Sequence, residues 1–219
     1  MKRYLPFVIV AAVALITFGS GLMLYRANVL PEPTAAKDSG ASDMHVRGGD
    51  ARAPVTLEEF GDFQCPPCAL MSPAIHQLEK DFGAKLRIIF RHFPLAMHPH
   101  AREAAHAAEA AHLQGKFWEM HDLLYEKQAG WSKAPDVLAL FNTYAGTLGL
   151  DVERFKKDMQ SPETKARVTA DHEHGVSRGV HSTPTIFINN TVLPSTSTNP
   201  TAVRAAIDAA LKEKEKPQP

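Results

Sequence analysis

The sequence has few cysteines and no excess of either charge. Only 2 of its 219 residues are Cys, which excludes a small domain held by several disulfides and a zinc site made of four cysteines. The 24 Lys and Arg residues balance 24 Asp and Glu, so the net charge gives no reason to expect nucleic-acid binding. Hydrophobic residues make up 44% of the chain, a share too high for a disordered protein. We expect a globular domain in which the two cysteines work as one pair.

Charge is also missing from residues 4–25, a stretch long enough to cross a hydrocarbon core of ~30 Å. Lys2 and Arg3 precede this stretch and Arg26 follows it, an arrangement that exports the rest of the chain. We predict a transmembrane anchor in residues 1–26. The alternative is a cleaved signal sequence with its apolar core in residues 5–18. Both place the remaining chain outside the cytoplasm, where disulfides persist.

The rest of the chain divides into a linker and one folded domain. Residues 27–43 are rich in Pro, Ala, Ser and Asp toward their end, which is typical of a linker. The domain is expected in residues 44–216. It begins with a buried strand at 55–60, a helix at 66–82 and a strand at 86–93. About residues 98–179 favour helix throughout, and we predict an all-helical subdomain inserted between strands.

The chain after this insertion returns to strand and ends in a helix. A strand is predicted at 185–188 and a return strand at 191–193, joined by a tight turn at Asn189 and Asn190. Asn199 is suited to cap a last helix that has Pro200 at its first position and runs to about Leu211. Strands and helices together predict an α/β domain.

The reactive chemistry is concentrated in Cys65-Pro66-Pro67-Cys68. A cysteine at the start of a helix is stabilised as the thiolate by free backbone N–H groups and by the helix dipole. The spacing lets Cys68 resolve a mixed disulfide formed on Cys65. Because neither proline has an N–H group, we expect a lowered pKa for Cys65 that stays above the most acidic thiols. The alternatives are two ligands of a zinc ion completed by histidines, and a structural disulfide.

The order of the motifs resembles a known family. EEFGDFQCPPC is followed by a helix, by RIIFRHFPL with HPHA after it, by a helical block and by STPTIFINN. The chain is similar over about residues 44–211 to the DsbA-like branch of the thioredoxin-fold disulfide oxidoreductases of bacterial envelopes. This resemblance implies a thioredoxin-like fold, in which a central mixed sheet is flanked by helices and carries an all-helical insertion, here preceded by one transmembrane helix.

The resemblance also assigns roles to residues away from the cysteines. Pro184 corresponds to the cis-proline of the family, which lies against the active-site disulfide and, with Thr183, binds an extended substrate. Glu59 corresponds to a buried acid that passes protons to and from Cys68. Glu58 should face the opposite side of the sheet, since strand side chains alternate. The alternative is that either glutamate is an ordinary solvated residue.

The function implied is disulfide exchange with cysteines of exported proteins, more specifically as an oxidase anchored to the inner membrane and working on its periplasmic side. Re-oxidation would come from a quinone-linked membrane partner. No cofactor is required, because the electrons reside in the sulfur pair. We expect a monomer, no nucleic-acid partner and no metal among the 11 histidines. The alternatives are a disulfide reductase or isomerase supplied by a thiol reductant, and a copper metallochaperone that uses the cysteines and His181.

Overall fold

The computed structural model describes residues 45–215. The predicted anchor in residues 4–25 and the linker at 27–43 lie outside this range, as do residues 44 and 216 of the predicted domain. Within residues 45–215, the helices are too short or too polar to cross a membrane.

A five-stranded mixed sheet forms the centre of the domain, in the order β1-β3-β2-β4-β5. The central pair, β2 (Val55–Gly61) and β3 (Leu86–His92), is parallel. The outer strands β1 (Val46–Gly48), β4 (Thr185–Ile188) and β5 (Thr191–Val192) pair antiparallel with their neighbours. Six of the seven residues in β2 and in β3 are buried, as expected for strands covered on both faces.

Helices α1 (Pro66–Phe82) and α8 (Pro200–Glu215) cover one face of the sheet. Met71 and Ile75 of α1 and Val203 of α8 pack with Leu57 and Ile88 from the central strands. The predicted bounds of α1 are confirmed. The side-chain oxygen of Asn199 accepts the N–H of Ala202 as an N-terminal cap, and α8 continues four residues beyond the predicted end at Leu211.

The predicted helical insertion consists of six helices between β3 and β4. They are α2 (Ala101–His112), α3 (Phe117–Glu126), α4 (Gln128–Trp131), α5 (Val137–Thr147), α6 (Val152–Gln160) and α7 (Pro162–Ser177). These helices build their own core around fully buried rings, including Trp131, Phe141 and Phe155. The same core contains both cysteines, so the insertion packs directly against the segment that carries the CPPC sequence.

Two short elements lie toward the edges of the sheet: strand β1 and the hairpin between β4 and β5. Strand β1 was not predicted, because three residues show no alternation that the sequence alone reveals; it pairs with the edge of β3, with Val46 opposite Ile89. The hairpin between β4 and β5 is made as predicted, with positive φ angles of 47° at Asn189 and 69° at Asn190. These angles suit the turns that match strand twist, and asparagine tolerates them.

Candidate active site

The two cysteines lie at the start of α1, directly after β2. Cys65 is the N-terminal capping residue, and the two prolines occupy the first positions of the helix, as expected. Cys65 is 5% exposed and Cys68 is fully buried, and both are free thiols in the structure. Cys65 therefore lies near the surface, where an incoming sulfur atom can reach it, and Cys68 lies behind it.

The surroundings shift the pKa values of the two thiols in opposite directions. The hydrogen bond from Cys68 lowers the pKa of Cys65 from 9.0 to about 6, against burial, which raises it. Burial raises the pKa of Cys68 well above its usual range, and the sulfur of Cys65 and the charge of Glu59 add to the rise. Cys65 is thus the thiolate of the pair at neutral pH, and Cys68 remains a thiol.

A segment distant in sequence completes the surface around Cys65. The peptide bond between Thr183 and Pro184 is cis. The sulfur of Cys65 lies 3.3 Å from the carbonyl oxygen of Thr183, to which it donates when it is protonated. Thr183 is buried, and its side chain beside Cys65 helps to lower the pKa of that thiol. The structure brings together Cys65, Cys68, Thr183 and Pro184, as the resemblance implies.

Glu59 and Glu58 lie on opposite faces of β2. Glu59 is 3% exposed, and burial raises its pKa from 4.5 to about 7, with a smaller opposing effect from the charge of Arg47. Glu58 is also buried and accepts hydrogen bonds from Arg91 at 2.9 Å and Arg178 at 3.0 Å. The alternative that either glutamate is solvated is wrong, because helices cover both faces of the strand here.

The loop that delivers Cys65 is held by side chains that the sequence did not identify. Asp62 is fully buried and accepts the N–H of Gln64 at 2.7 Å, the N–H of Leu95 at 2.9 Å and the ring nitrogen Nδ1 of His98 at 2.7 Å. Gln64 in turn accepts the N–H of His100 at 2.7 Å. The segment before Cys65 is thereby tied to the segment that follows β3.

The insertion holds the same loop from its other side. The side-chain nitrogen Nε2 of Gln128 donates to the carbonyl oxygens of Phe63 at 2.7 Å and Cys65 at 2.9 Å. The Nε2 of Gln64 donates to the carbonyl of Ser132 at 2.8 Å. An isolated glutamine in a helical segment carries no sequence signal of such a contact, since the contact depends on how the insertion docks.

His181 is exposed in the loop before Thr183. Its side chain has neither a hydrogen bond nor an ion pair within the described part of the chain. This placement is that of a surface loop residue.

A buried group of three residues has the composition of a metal site. Ligand atoms of His45, His92 and Glu109 lie within 4.8 Å of one another. Glu109 Oε1 is 2.5 Å from His45 Nε2 and 2.9 Å from His92 Nε2. The second ring nitrogen of each histidine has no partner among the described residues, whereas metal-bound histidines commonly donate from that atom. Two N–H donors on one carboxylate oxygen account for the group without a metal.

Comparisons with known proteins agree with this arrangement. The family model described as Thioredoxin matches residues 41–209. The crystal structure of oxidised BdbD from Bacillus subtilis has 26% sequence identity and a TM-score of 0.68, covering 78% of this chain and 94% of that one. Pseudomonas aeruginosa DsbA2 has 25% identity and a TM-score of 0.64, covering 79% and 97%.

One similar protein is much longer. A Na(+)/H(+) antiporter NhaA 1 of Salinispora arenicola is 44% identical over 146 residues, which are 66% of this chain and 21% of that protein. The chain therefore spans about a fifth of the length of this relative. The family model, the two solved structures and the pairing of CPPC with a cis-proline converge, and the chain belongs to the thioredoxin family, as a member of the DsbA-like thiol-disulfide oxidoreductases.

Proposed function

We propose that this protein oxidises cysteine pairs in exported proteins. In the first step a thiolate of the client attacks the Sγ of Cys65 in the oxidised pair, the Cys65–Cys68 bond breaks, and Cys68 leaves and takes a proton. In the second step another client thiolate attacks the client sulfur of the mixed disulfide and releases Cys65 as a thiolate. The client loses two electrons and the sulfur pair gains them.

The difference in pKa between the two thiols is the main support for this proposal. A thiolate of low pKa is a good leaving group and stabilises the reduced form of the pair, which makes the disulfide more oxidising. The pKa of about 6 for Cys65 lies between the cysteine pKa values of about 7 in thioredoxin and about 3.5 in DsbA. The raised pKa of Cys68 keeps the second sulfur protonated until it is needed.

Glu59 fits the proposed role of proton donor and acceptor for Cys68. Its charge acts on the Cys68 thiol, and its pKa of about 7 lies near the pH at which a group exchanges protons most efficiently. Thr183 and Pro184 are proposed to bind the client backbone beside Cys65.

Two exposed apolar side chains suit the proposed clients. Leu70 on the first turns of α1 is 80% exposed, and Met97 is 79% exposed. Met97 belongs to the segment that hydrogen bonds to Asp62 through its neighbour His98, so it lies in a loop tied to the active site. Exposed apolar side chains of this kind favour contact with unfolded protein chains.

The location and redox partner are part of the same proposal. Residues 4–25 would anchor the protein in the inner membrane with its domain in the periplasm. A quinone-linked membrane protein would re-oxidise it. Cation transport, which the name of the longer relative describes, is not proposed for this chain, because the match covers 21% of that protein.

The deciding experiment is equilibration of the Cys65–Cys68 pair with glutathione redox buffers, read by thiol trapping. We expect a reduction potential of roughly −200 mV or higher, which marks a donor of disulfides. A potential near or below about −270 mV, the thioredoxin value, would make the protein a reductase. Metal analysis of the purified protein provides the test of the copper alternative, in which copper would remain bound to the thiolates.

A further inference from the structure

The proposed reaction requires proton transfer to and from Cys68 inside the protein. Each time Cys68 leaves or attacks, a proton has to be supplied or removed, and Glu59 is the proposed partner. Glu59 is 3% exposed, and a bound client covers the side of the site formed by Cys65 and Thr183. Glu59 therefore needs a connection to water that does not pass through the client.

Tyr125 in α3 places a polar group on the face of β2 that carries Glu59. Glu59 and Gly61 are two residues apart and so share a face of β2. The Tyr125 hydroxyl oxygen lies 2.9 Å from the position that a Cβ atom on Gly61 would occupy. Within the described residues, neither Oε1 of Glu59 nor the hydroxyl of Tyr125 has a hydrogen-bond partner. Buried polar atoms without partners are unusual, since almost all such atoms are paired in folded proteins, and here two of them belong to side chains on the same face of β2.

Tyr125 also reaches a groove on the surface. The groove has a volume of about 410 Å³ and runs between α1 and α3; its lining includes Ser72, His76, Asp122, Tyr125 and Glu126. The side chains of Asp122 and Glu126 are 44% and 67% exposed, so the groove offers solvated carboxylates at its mouth. Tyr125 itself is 5% exposed: its side chain borders the groove, and its hydroxyl oxygen is buried.

We propose that the Tyr125 hydroxyl carries protons between Glu59 and this groove, which makes the groove the proton entrance of the active site. The proposal rests on the proposed disulfide exchange. When Cys68 leaves, it takes the proton of the Glu59 carboxyl. The carboxylate then takes the hydroxyl proton of Tyr125 over water, as Tyr125 receives a proton from the groove, also over water. When Cys68 attacks, each transfer runs in reverse and one proton enters solvent.

The surroundings suit a hydroxyl that passes protons without holding charge. Burial and the nearby charges of Cys68 and Glu59 raise the pKa of Tyr125 well above its usual range. The phenol therefore stays neutral during turnover. A neutral hydroxyl can donate one proton while it accepts another.

The test compares Tyr125→Phe with wild type in the full chain. The reduced protein is mixed with oxidised glutathione, and thiol trapping follows two steps: formation of the mixed disulfide on Cys65 and its resolution by Cys68. We expect an unchanged first step and a resolution step that is roughly ten-fold slower, because one proton transfer is lost. Added imidazole, a small proton carrier, should restore the resolution rate in the variant and leave the wild-type rate unchanged.

Tyr144→Phe is the matched control, because Tyr144 is half-buried in the same insertion and contacts Phe141. It should resolve the mixed disulfide at the wild-type rate. Equal resolution rates for Tyr125→Phe and wild type would overturn the proton route, as would a slowing that imidazole does not relieve. If wild type itself fails to exchange with glutathione, the proposed function is wrong, and this outcome is distinct from failure of the route alone.

Discussion

Gln128 holds Cys65 by its backbone: the side-chain Nε2 of Gln128 lies 2.9 Å from the carbonyl oxygen of Cys65. The same nitrogen donates to the carbonyl of Phe63 at 2.7 Å, so one amide group fixes both ends of the last loop segment before α1. Gln128 itself is 9% exposed. The insertion therefore supports the active-site loop as well as covering it.

Replacing Gln128 with Ala should destabilise the reduced protein. The Phe63 carbonyl loses its side-chain donor, while the Cys65 carbonyl keeps only the backbone N–H groups of Cys68 and Ala69. The expected decrease in the free energy of unfolding is about 1–3 kcal/mol. Urea unfolding provides the measurement. Gln114→Ala is the control, because Gln114 makes its hydrogen bonds to Asp151 at an exposed position and should change stability by less than about 0.5 kcal/mol. Equal losses in the two variants would contradict the role of Gln128.

Replacing Glu59 with Gln should stabilise the reduced protein above neutral pH. The unfolded chain ionises this carboxyl near pH 4.5, whereas the folded protein holds its proton up to about pH 7. Its contribution to stability is therefore complete below pH 4.5 and is lost as the pH rises through 7. The variant should be more stable than wild type by about 3 kcal/mol above pH 7, with the difference vanishing toward pH 4.5. Urea unfolding across this pH range measures it.

Glu58→Gln should have the opposite effect on stability at neutral pH, because Glu58 is the buried partner of Arg91 and Arg178. Weakening these pairs should cost about 3 kcal/mol. Glu59→Gln should also slow disulfide exchange, whereas a change at Glu58 acts on the opposite face of β2. If both substitutions shift stability in the same direction, the assignment of the two faces is wrong.

Titration of the thiolate absorbance should show one group with a midpoint of about 6 in the reduced protein. The hydrogen bond from Cys68 is the largest cause of this low pKa, so Cys68→Ala should move the midpoint upward. Cys65→Ser is the control and should abolish the titration near pH 6, because the pKa of Cys68 is raised. A midpoint that stays at about 6 in Cys68→Ala would contradict this cause.

Part of the fold and of the active site could be predicted from local sequence patterns. The CPPC pair, α1 and β2 were predictable because prolines and apolar spacing act locally within a few residues. Glu59 followed from the resemblance to a family. The burial of Glu59 and of Glu58 depends on helices from distant parts of the chain. The sequence alone therefore does not exclude that either glutamate is solvated.

The contacts made by the insertion were beyond prediction. Tyr125 and Gln128 lie in segments whose composition predicts helix, and neither belongs to a recognisable motif. Their positions beside Gly61 and Cys65 arise from the way a helical core of many small and aromatic residues packs against the end of the sheet. Residues 46–48 likewise form a strand only because the edge of β3 is available.

Gly61 is required at the end of β2 because two rings approach it closely. A Cβ atom at this position would lie 2.4 Å from Cε2 of Phe90 and 2.9 Å from the hydroxyl oxygen of Tyr125. Both rings are buried and have little freedom to move. Gly61→Ala should therefore lower the free energy of unfolding by about 1–3 kcal/mol through overpacking, measured by urea unfolding of the reduced protein.

Gly130→Ala is the matched control for this substitution. Gly130 lies in α4, and a Cβ atom there meets no other atom within 4 Å. Alanine is the better helix former, so this variant should gain about 0.5–1 kcal/mol. The two glycine substitutions thus have expected effects of opposite sign. A Gly61→Ala protein as stable as wild type would show that Phe90 and Tyr125 can shift, and that the hydroxyl of Tyr125 is not held against β2 at Gly61.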